Sequence, residues 1–234
     1  MSEETQETVV EEAATPAFLF EFDHLVARIR DASYDVLQSI YDDVDLTPVH
    51  YSKYGLAEGP HKTIDALQSG LGVKKGQPKK VSEELVSGIK MHLDSGVVQV
   101  SDELRDVIVQ AREREMRVIG VTAIPPQARD ALAERLDLSG LGIDLVEFSR
   151  EFDPFPKADA WLRITKELNI PASHSISLTT SAQSCKSSIT ADIPTISLPD
   201  AFTSFQDFGG AMAVVDALPE ITLSDYLDRE IISA

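Results

Sequence analysis

Cysteine is almost missing from this sequence. Cys185 is the single one, so no intrachain disulfide can form and no cysteine-rich metal site can be built. That scarcity suits a reducing compartment, and the expected location is cytoplasmic. Positive charge is scarce too. Lys and Arg number 21 against 39 Asp and Glu, a formal net charge of −18. Nucleic acid is thereby disfavoured as a partner, because its phosphates are held by clustered cations. An anionic membrane surface is disfavoured for the same reason, and an anionic small molecule would need a local positive spot. No apolar run approaches the roughly 20 residues of a membrane span. The opening MSEETQETVVEEAATP carries acid where a signal peptide carries positive charge and then an apolar stretch. Residues 1–16 are expected to form a disordered acidic tail.

What is present fits an ordinary globular chain. Of 234 residues, 43% are hydrophobic and 26% charged, which suffices for one full core, or a core with a smaller insert. After the tail, strand-like and helix-like segments alternate. Residues 17–23 read as an apolar strand, and about 26–41 as a helix with Val26, Ile29, Val36, Leu37 and Ile40 at helical spacing. Residues 45–95 hold only helix-like segments and loops. From Ser101, an N-cap candidate, the rhythm becomes helix (101–116), strand (117–123), helix (125–138) with prolines in its first turn, strand (143–149), helix (157–169), strand (174–178), helix (181–192) and strand (194–198). Such alternation predicts a parallel sheet covered on both faces. The expected fold is α/β, a Rossmann-like parallel sheet sandwiched by helices, with a helical insert after the first strand. Ligands of open parallel sheets bind at the carboxyl ends of the strands.

Four places stand at those ends. Residues 18–25 read FLFEFDHL, and strand alternation puts Glu21 and Asp23 on one side. Two carboxylates so close raise each other's pKa unless a metal ion or lysine lies between them. The plainer reading is a strand end open to water. Thr122 ends the second strand, where its hydroxyl and the next helix start suit a phosphate oxygen. Lys157 opens a helix, a mildly unfavourable place for a cation, which points to another partner such as a carboxylate or phosphate. Thr179, Thr180 and Ser181 make a good N-cap region but a poor Mg²⁺ site, because that ion favours carboxylate oxygens.

Taken in order, these places resemble the haloacid dehalogenase-like superfamily, in the branch of beta-phosphoglucomutase and phosphoglycolate phosphatase. The most family-like stretch is FPKADAWLRITKELNIPASHSISL, and the resemblance covers about residues 17–220. It implies a core domain of residues 17–30 and 97–234 and a helical cap domain of residues 31–96. In the family the first strand ends in Asp-x-Asp-Gly-Thr. The first Asp takes the phosphoryl group and binds Mg²⁺, and the second is general acid and base. The matching residues here are Glu21, Phe22, Asp23, His24 and Leu25. The family's Thr or Ser falls on Thr122 and its Lys on Lys157. The acidic pair that completes the Mg²⁺ site falls on Thr179 and Thr180. The resemblance thus implies Glu21, Asp23, Thr122 and Lys157 as catalytic residues, and Mg²⁺ held at most by Glu21 and Asp23.

These departures have physical consequences. Glu21 adds a methylene and moves the attacking oxygen by about 1 Å, a misplacement that can cost on the order of 100-fold in rate. Two threonines in place of two acids leave fewer anionic oxygens for Mg²⁺. Asp200 or Asp192 could supply one, though the register recommends neither. His24 replaces a glycine whose bare backbone lets the chain approach a phosphate. The expectation is a surviving scaffold with weak or absent hydrolysis, in a binding or regulatory role. The alternative is an active Mg²⁺-dependent phosphatase or phosphomutase acting on a small phosphorylated metabolite. A third reading is an assembly role through the cap or the acidic tail, with the protein partner open.

The remaining features read as structural. The basic island at 74–80 reads as an exposed turn. His50, His61 and His92 lack zinc-site spacing. His174 is expected to be structural or exposed. Trp161 and Leu162 are expected on the core face of their helix, and Cys185 in packing against the sheet. No nucleophile-elbow sequence supports Ser-His-Asp catalysis.

Overall fold

The computed structural model describes residues 15–55, 59–73, 76–149 and 152–231. The expected acidic tail, up to residue 14, and Lys74 and Lys75 of the basic island lie outside the described residues. Six parallel strands form one sheet: β1 (Ala17–Glu21), β2 (Arg117–Thr122), β3 (Ile143–Glu147), β4 (Ile176–Thr179), β5 (Thr195–Ser197) and β6 (Ala213–Val214), in the order β3-β2-β1-β4-β5-β6. β1 is buried along its whole length, which is why it reads as a nearly unbroken apolar run. Phe20 pairs with Gly120 on one side and Leu178 on the other. Strand order turns back between β1 and β4, so a crevice opens beside the carboxyl ends of those two strands.

Between β1 and β2 come α1 (Phe22–Leu25), α2 (Ile29–Ile40), α3 (Pro48–Tyr54), α4 (Gly59–Leu71), α5 (Pro78–Asp94) and α6 (Asp102–Glu113). Of the helix expected over 26–41, the structure has α2 alone, which starts only at Ile29, after Arg28, whose φ of 50° is left-handed. Pro78 starts α5, so Lys79 and Lys80 belong to its first turn rather than to a loop. After β2 follow α7 (Pro126–Arg135) and α8 (Leu138–Leu141), then β3, α9 (Ala158–Glu167), β4, α10 (Ala182–Thr190), β5, β6 and α11 (Leu223–Ile231). The expected caps form. Ser101 Oγ accepts from Leu104 N and Ser181 Oγ from Ser184 N, both at 3.2 Å.

Alternation along β1 splits the core. Phe18 and Phe20 join a cluster that runs through Leu37, Ile64, Leu85 and Ile89 of the inserted helices. Ala17 and Leu19 pack on the other face with Trp161 and Ile164 of α9. Trp161 is fully buried, but Leu162 is 50% exposed. Neighbours on a helix point about 100° apart, so the two cannot share a core face. Gly120 is needed for close packing. A Cβ there would lie 3.1 Å from Phe22 Cβ and 2.7 Å from Leu145 Cδ2.

The insert is tied to the sheet by rings and amides. Tyr34, Tyr51 and Phe202 form a triangle with centroid separations of 5.7, 5.0 and 5.3 Å. Gln206 Nε2 donates to Ser52 Oγ at 3.0 Å, and its Oε1 accepts from Ala182 N at 2.8 Å. His92 Nε2 contacts Ala27 O at 2.8 Å. Among the described residues, no helix is long and apolar enough to cross a membrane.

Candidate functional site

At the end of β1 the chain turns at once into α1. Glu21 is the last strand residue, while Asp23 sits in the helix. The strand alternation expected to align them therefore does not operate. The α1 turn does the work instead, burying both carboxylates at the crevice, with 2% and 3% of each residue exposed.

Asp23 faces β2. Its Oδ1 accepts from Thr122 Oγ1 at 2.5 Å and its Oδ2 from Ala123 N at 2.7 Å. Thr122 Oγ1 accepts in turn from Ile124 N at 3.0 Å. Burial pushes the Asp23 carboxyl up to about 7, against those two hydrogen bonds and with a small contribution from the Glu21 charge.

Glu21 faces β4. Its Oε2 accepts from Thr180 N at 2.5 Å and from Thr180 Oγ1 at 2.6 Å, while its Oε1 is buried with no hydrogen-bond partner. Burial raises its pKa, opposed chiefly by the positive charge of Arg30 and the Thr180 hydroxyl. Thr179 turns away, with its Oγ1 3.1 Å from Ser197 Oγ.

Arg30, on α2, was not foreseen as a site residue. Its side chain is 1% exposed. Nη2 donates to Thr180 Oγ1 at 3.2 Å, Nη1 pairs with Asp200 Oδ2, and Nε has no partner. Asp200 is itself fixed, its Oδ1 accepting from Phe202 N at 2.8 Å. One sequence signal existed: Arg30 lies four residues after Val26 and seven before Leu37 on the apolar stripe, where a charge demands a partner. Asp192, the other acid considered, lies at the far end of α10 with a φ of 58°.

His24 Nε2 is 2.6 Å from the carbonyl oxygen of Pro154, so this nitrogen carries the proton. Nδ1 is left as a buried acceptor without a partner. Burial first, and then the Arg30 charge, push the ring down to about 3, so it is neutral. Lys157 is the exposed N-cap of α9. It follows Pro154, Phe155 and Pro156, which with Glu21, Asp23 and His24 border a small space of about 140 Å³. The structure thus groups Glu21, Asp23 and Thr122 as one buried cluster, and Lys157 follows directly on the Pro154–Pro156 segment that borders it. A larger cavity, about 460 Å³ with its mouth, lies towards the insert and is lined by Asp23, His24, Arg30, Ser33, Tyr51 and Asp153 among others.

The other candidates take structural places. His50 completes a capping box with Thr47 at the start of α3. His61 sits 3.2 Å from Asp65 on α4. His174 is exposed at the end of a short 3₁₀ turn, two residues before β4 begins. Cys185 is buried, and that burial raises its thiol pKa. Among the described residues, no three His, Cys, Asp or Glu side chains group so as to hold a metal ion.

The donor set can be tested against Mg²⁺, which takes six oxygens at about 2.0–2.1 Å. Glu21 Oε2 faces an N–H and an O–H, both hydrogen donors. Each oxygen of Asp23 already accepts one hydrogen bond, and Asp200 Oδ2 is held by a guanidinium. Only Glu21 Oε1 is a carboxylate oxygen without a partner in this cluster. The residues present do not fit the ion.

No protein-family model matches the sequence, and no curated protein matches it. Solved structures do match. CbbY from Rhodobacter sphaeroides in complex with phosphate superposes with a TM-score of 0.68 at 18% identity, over 92% of this chain and 99% of that one. A mutant of the same protein in complex with xylulose-(1,5)bisphosphate gives 0.67 at 17% identity, over 90% and 98%. Beta-phosphoglucomutase from Clostridium difficile gives 0.68 at 13% identity, over 94% and 100%. At these identities the likeness is one of fold, and the fold of this chain is that of the haloacid dehalogenase-like hydrolases, the phosphatases and phosphomutases among them.

Proposed function

We propose that this chain is a binding or regulatory protein on a phosphohydrolase scaffold, in which hydrolysis is weak or absent. α2–α5 act as a cap over the core, and the ligand is a small phosphorylated metabolite entering between them. Thr122 and Lys157 are the groups proposed to meet its phosphate. The carrying observation is the state of Glu21. The residue at the nucleophile's place has one oxygen saturated by both donors of Thr180, and burial disfavours its charge. Phosphoryl transfer depends on positioning and on neutralising charge, and the acids that would complete a metal site are threonines here.

A second reading keeps some support. Glu21 Oε1 is without a partner, and an Asp23 carboxyl near 7 suits acid–base work at neutral pH. In that reading the chain is an active phosphatase or phosphomutase, with Glu21 as nucleophile and Asp23 as proton donor. Turnover of p-nitrophenyl phosphate and a panel of sugar phosphates, with Mg²⁺ present, separates the two. The expected result is a rate no higher than that of Glu21→Gln. Clear turnover that vanishes in Asp23→Asn decides for the enzyme.

A further inference from the structure

We infer that Arg30 is the resident cation of this site, built into the chain where the fold's relatives would use a divalent metal, and that the site binds no such metal. This concerns the pocket of the proposed function, but its test reads metal binding and not turnover, so the two can fail separately.

The argument is one of occupied lone pairs and fixed charge. Arg30 is always protonated, and its side chain is 1% exposed. A charge so placed must be paired and hydrogen-bonded. Its two partners are Asp200, an acid that a metal could otherwise draw on, and Thr180, which stands where the resemblance expects a metal-binding acid. Nη1 takes Asp200 Oδ2, the acid on the loop after β5. Nη2 takes Thr180 Oγ1 at 3.2 Å. Because that hydroxyl accepts from the guanidinium, its own hydrogen is turned to Glu21 Oε2, 2.6 Å away. The backbone N–H of Thr180 points at the same oxygen from 2.5 Å. A metal ion at Oε2 would face two hydrogens and, just behind them, a full positive charge in a medium that screens poorly. The Thr122 hydroxyl and the Ala123 amide each take one lone pair of Asp23, one on either oxygen. Glu21 Oε1, which has no partner, lies on the carboxylate that already feels the Arg30 charge, so a dication there would meet the same repulsion. Arg30 thus already opposes the Glu21 burial cost, the task a metal would perform.

Arg30 is a positioning residue in this scheme. It acts on Glu21 through Thr180 and is not itself assigned to any reacting atom.

The test uses the full-length chain and Mn²⁺, followed by the electron paramagnetic resonance of free ion during titration. The wild type is expected to leave the free-ion signal unchanged, and its melting temperature is expected to be the same in excess Mg²⁺ as in EDTA. One Mn²⁺ bound per chain, lost in Glu21→Gln, would overturn the inference. A gain-of-site variant supplies the second arm. Arg30→Ala with Thr180→Asp removes the guanidinium and adds a carboxylate beside Glu21. Provided circular dichroism shows it folded, it is expected to bind Mn²⁺ at least about tenfold more tightly than the wild type. A folded double variant that binds no better than wild type also counts against the inference. If the variant does not fold, the wild-type titration alone decides.

Discussion

The hydroxyl of Thr180 stands 2.6 Å from Glu21 Oε2 and accepts, from the other side, a hydrogen bond from Arg30. One side chain at the end of β4 therefore joins the last residue of β1 to the inserted helix α2. Thr180→Val keeps the shape and the backbone amide but removes both contacts. It leaves a buried guanidinium nitrogen and weakens the hold on Glu21. The expected loss is about 1–3 kcal/mol of stability, read from chemical denaturation with an unchanged slope.

Arg30→Met removes the charge and keeps most of the volume. Breaking a fully buried pair costs about 3–5 kcal/mol. Asp200 is 35% exposed on its side chain, so water screens part of its loss and the expected cost is nearer 2 kcal/mol. The cost should depend on pH. Glu21 already binds a proton more tightly folded than unfolded, and losing Arg30 raises its folded pKa further. Below the unfolded value of 4.5 Glu21 is neutral in both states and adds nothing to the difference. As pH rises above it, the unfolded chain releases the proton in both proteins alike, so the gap widens only once the wild-type folded carboxyl ionises while the variant's, with no Arg30 beside it, stays protonated. Melting curves across neutral and alkaline pH should show a gap that grows and never narrows as pH rises.

Gly120→Ala tests the packing of α1 on the sheet. The added methyl meets the Cβ of Phe22, which is close to the backbone and cannot swing away, as well as the more yielding end of Leu145. Overpacking of this kind costs about 1–3 kcal/mol. Because Phe22 lies between Glu21 and Asp23, the displacement should also be visible in the amide spectrum of residues 21–23.

The sequence made some of this arrangement legible and hid the rest for definite reasons. β1 and the middle of β2 announce themselves because strands buried on both faces are largely apolar, while β4, ISLT, shows as a short alternation of apolar and hydroxyl residues. Ser101 and Ser181 mark helix starts because capping is a local bond over three residues. Asp23 was harder to place: whether a strand continues for two residues or turns into a helix is not set by the residue types FEFD. β6, with two residues at the sheet edge, has too little pattern to find. Arg30 was missed as a partner of Asp200 because 170 positions separate them, and no local periodicity spans that gap. The grouping of Glu21, Asp23 and Thr122 was legible only as positions at strand ends. That Glu21 is held by Thr180 rather than by an acid follows from identity at one position, but that Arg30 closes the network does not.

Asp23→Asn isolates the other half of the pair. The Asp23 carboxyl ordinarily titrates at 3.8, and burial raises it to about 7 in the folded chain. The folded state thus holds a proton that the unfolded state gives up. Below pH 3.8 both states are protonated and the group's contribution to stability is fully present. Between 3.8 and about 7 the unfolded chain deprotonates alone, so that contribution is lost progressively as pH rises. Above 7 both are ionised and the loss levels off. Asn cannot ionise, and its amide can turn its oxygen to the Ala123 N–H and its NH₂ to Thr122 Oγ1, so the hydrogen bonds survive. The variant should therefore be more stable than the wild type at pH 8 by about 1–3 kcal/mol, and the advantage should shrink towards zero near pH 4. Thermal denaturation across that range measures it. A difference that stays constant with pH would mean that Asp23 does not carry a proton to neutrality, and the acid–base capacity attributed to it would go as well.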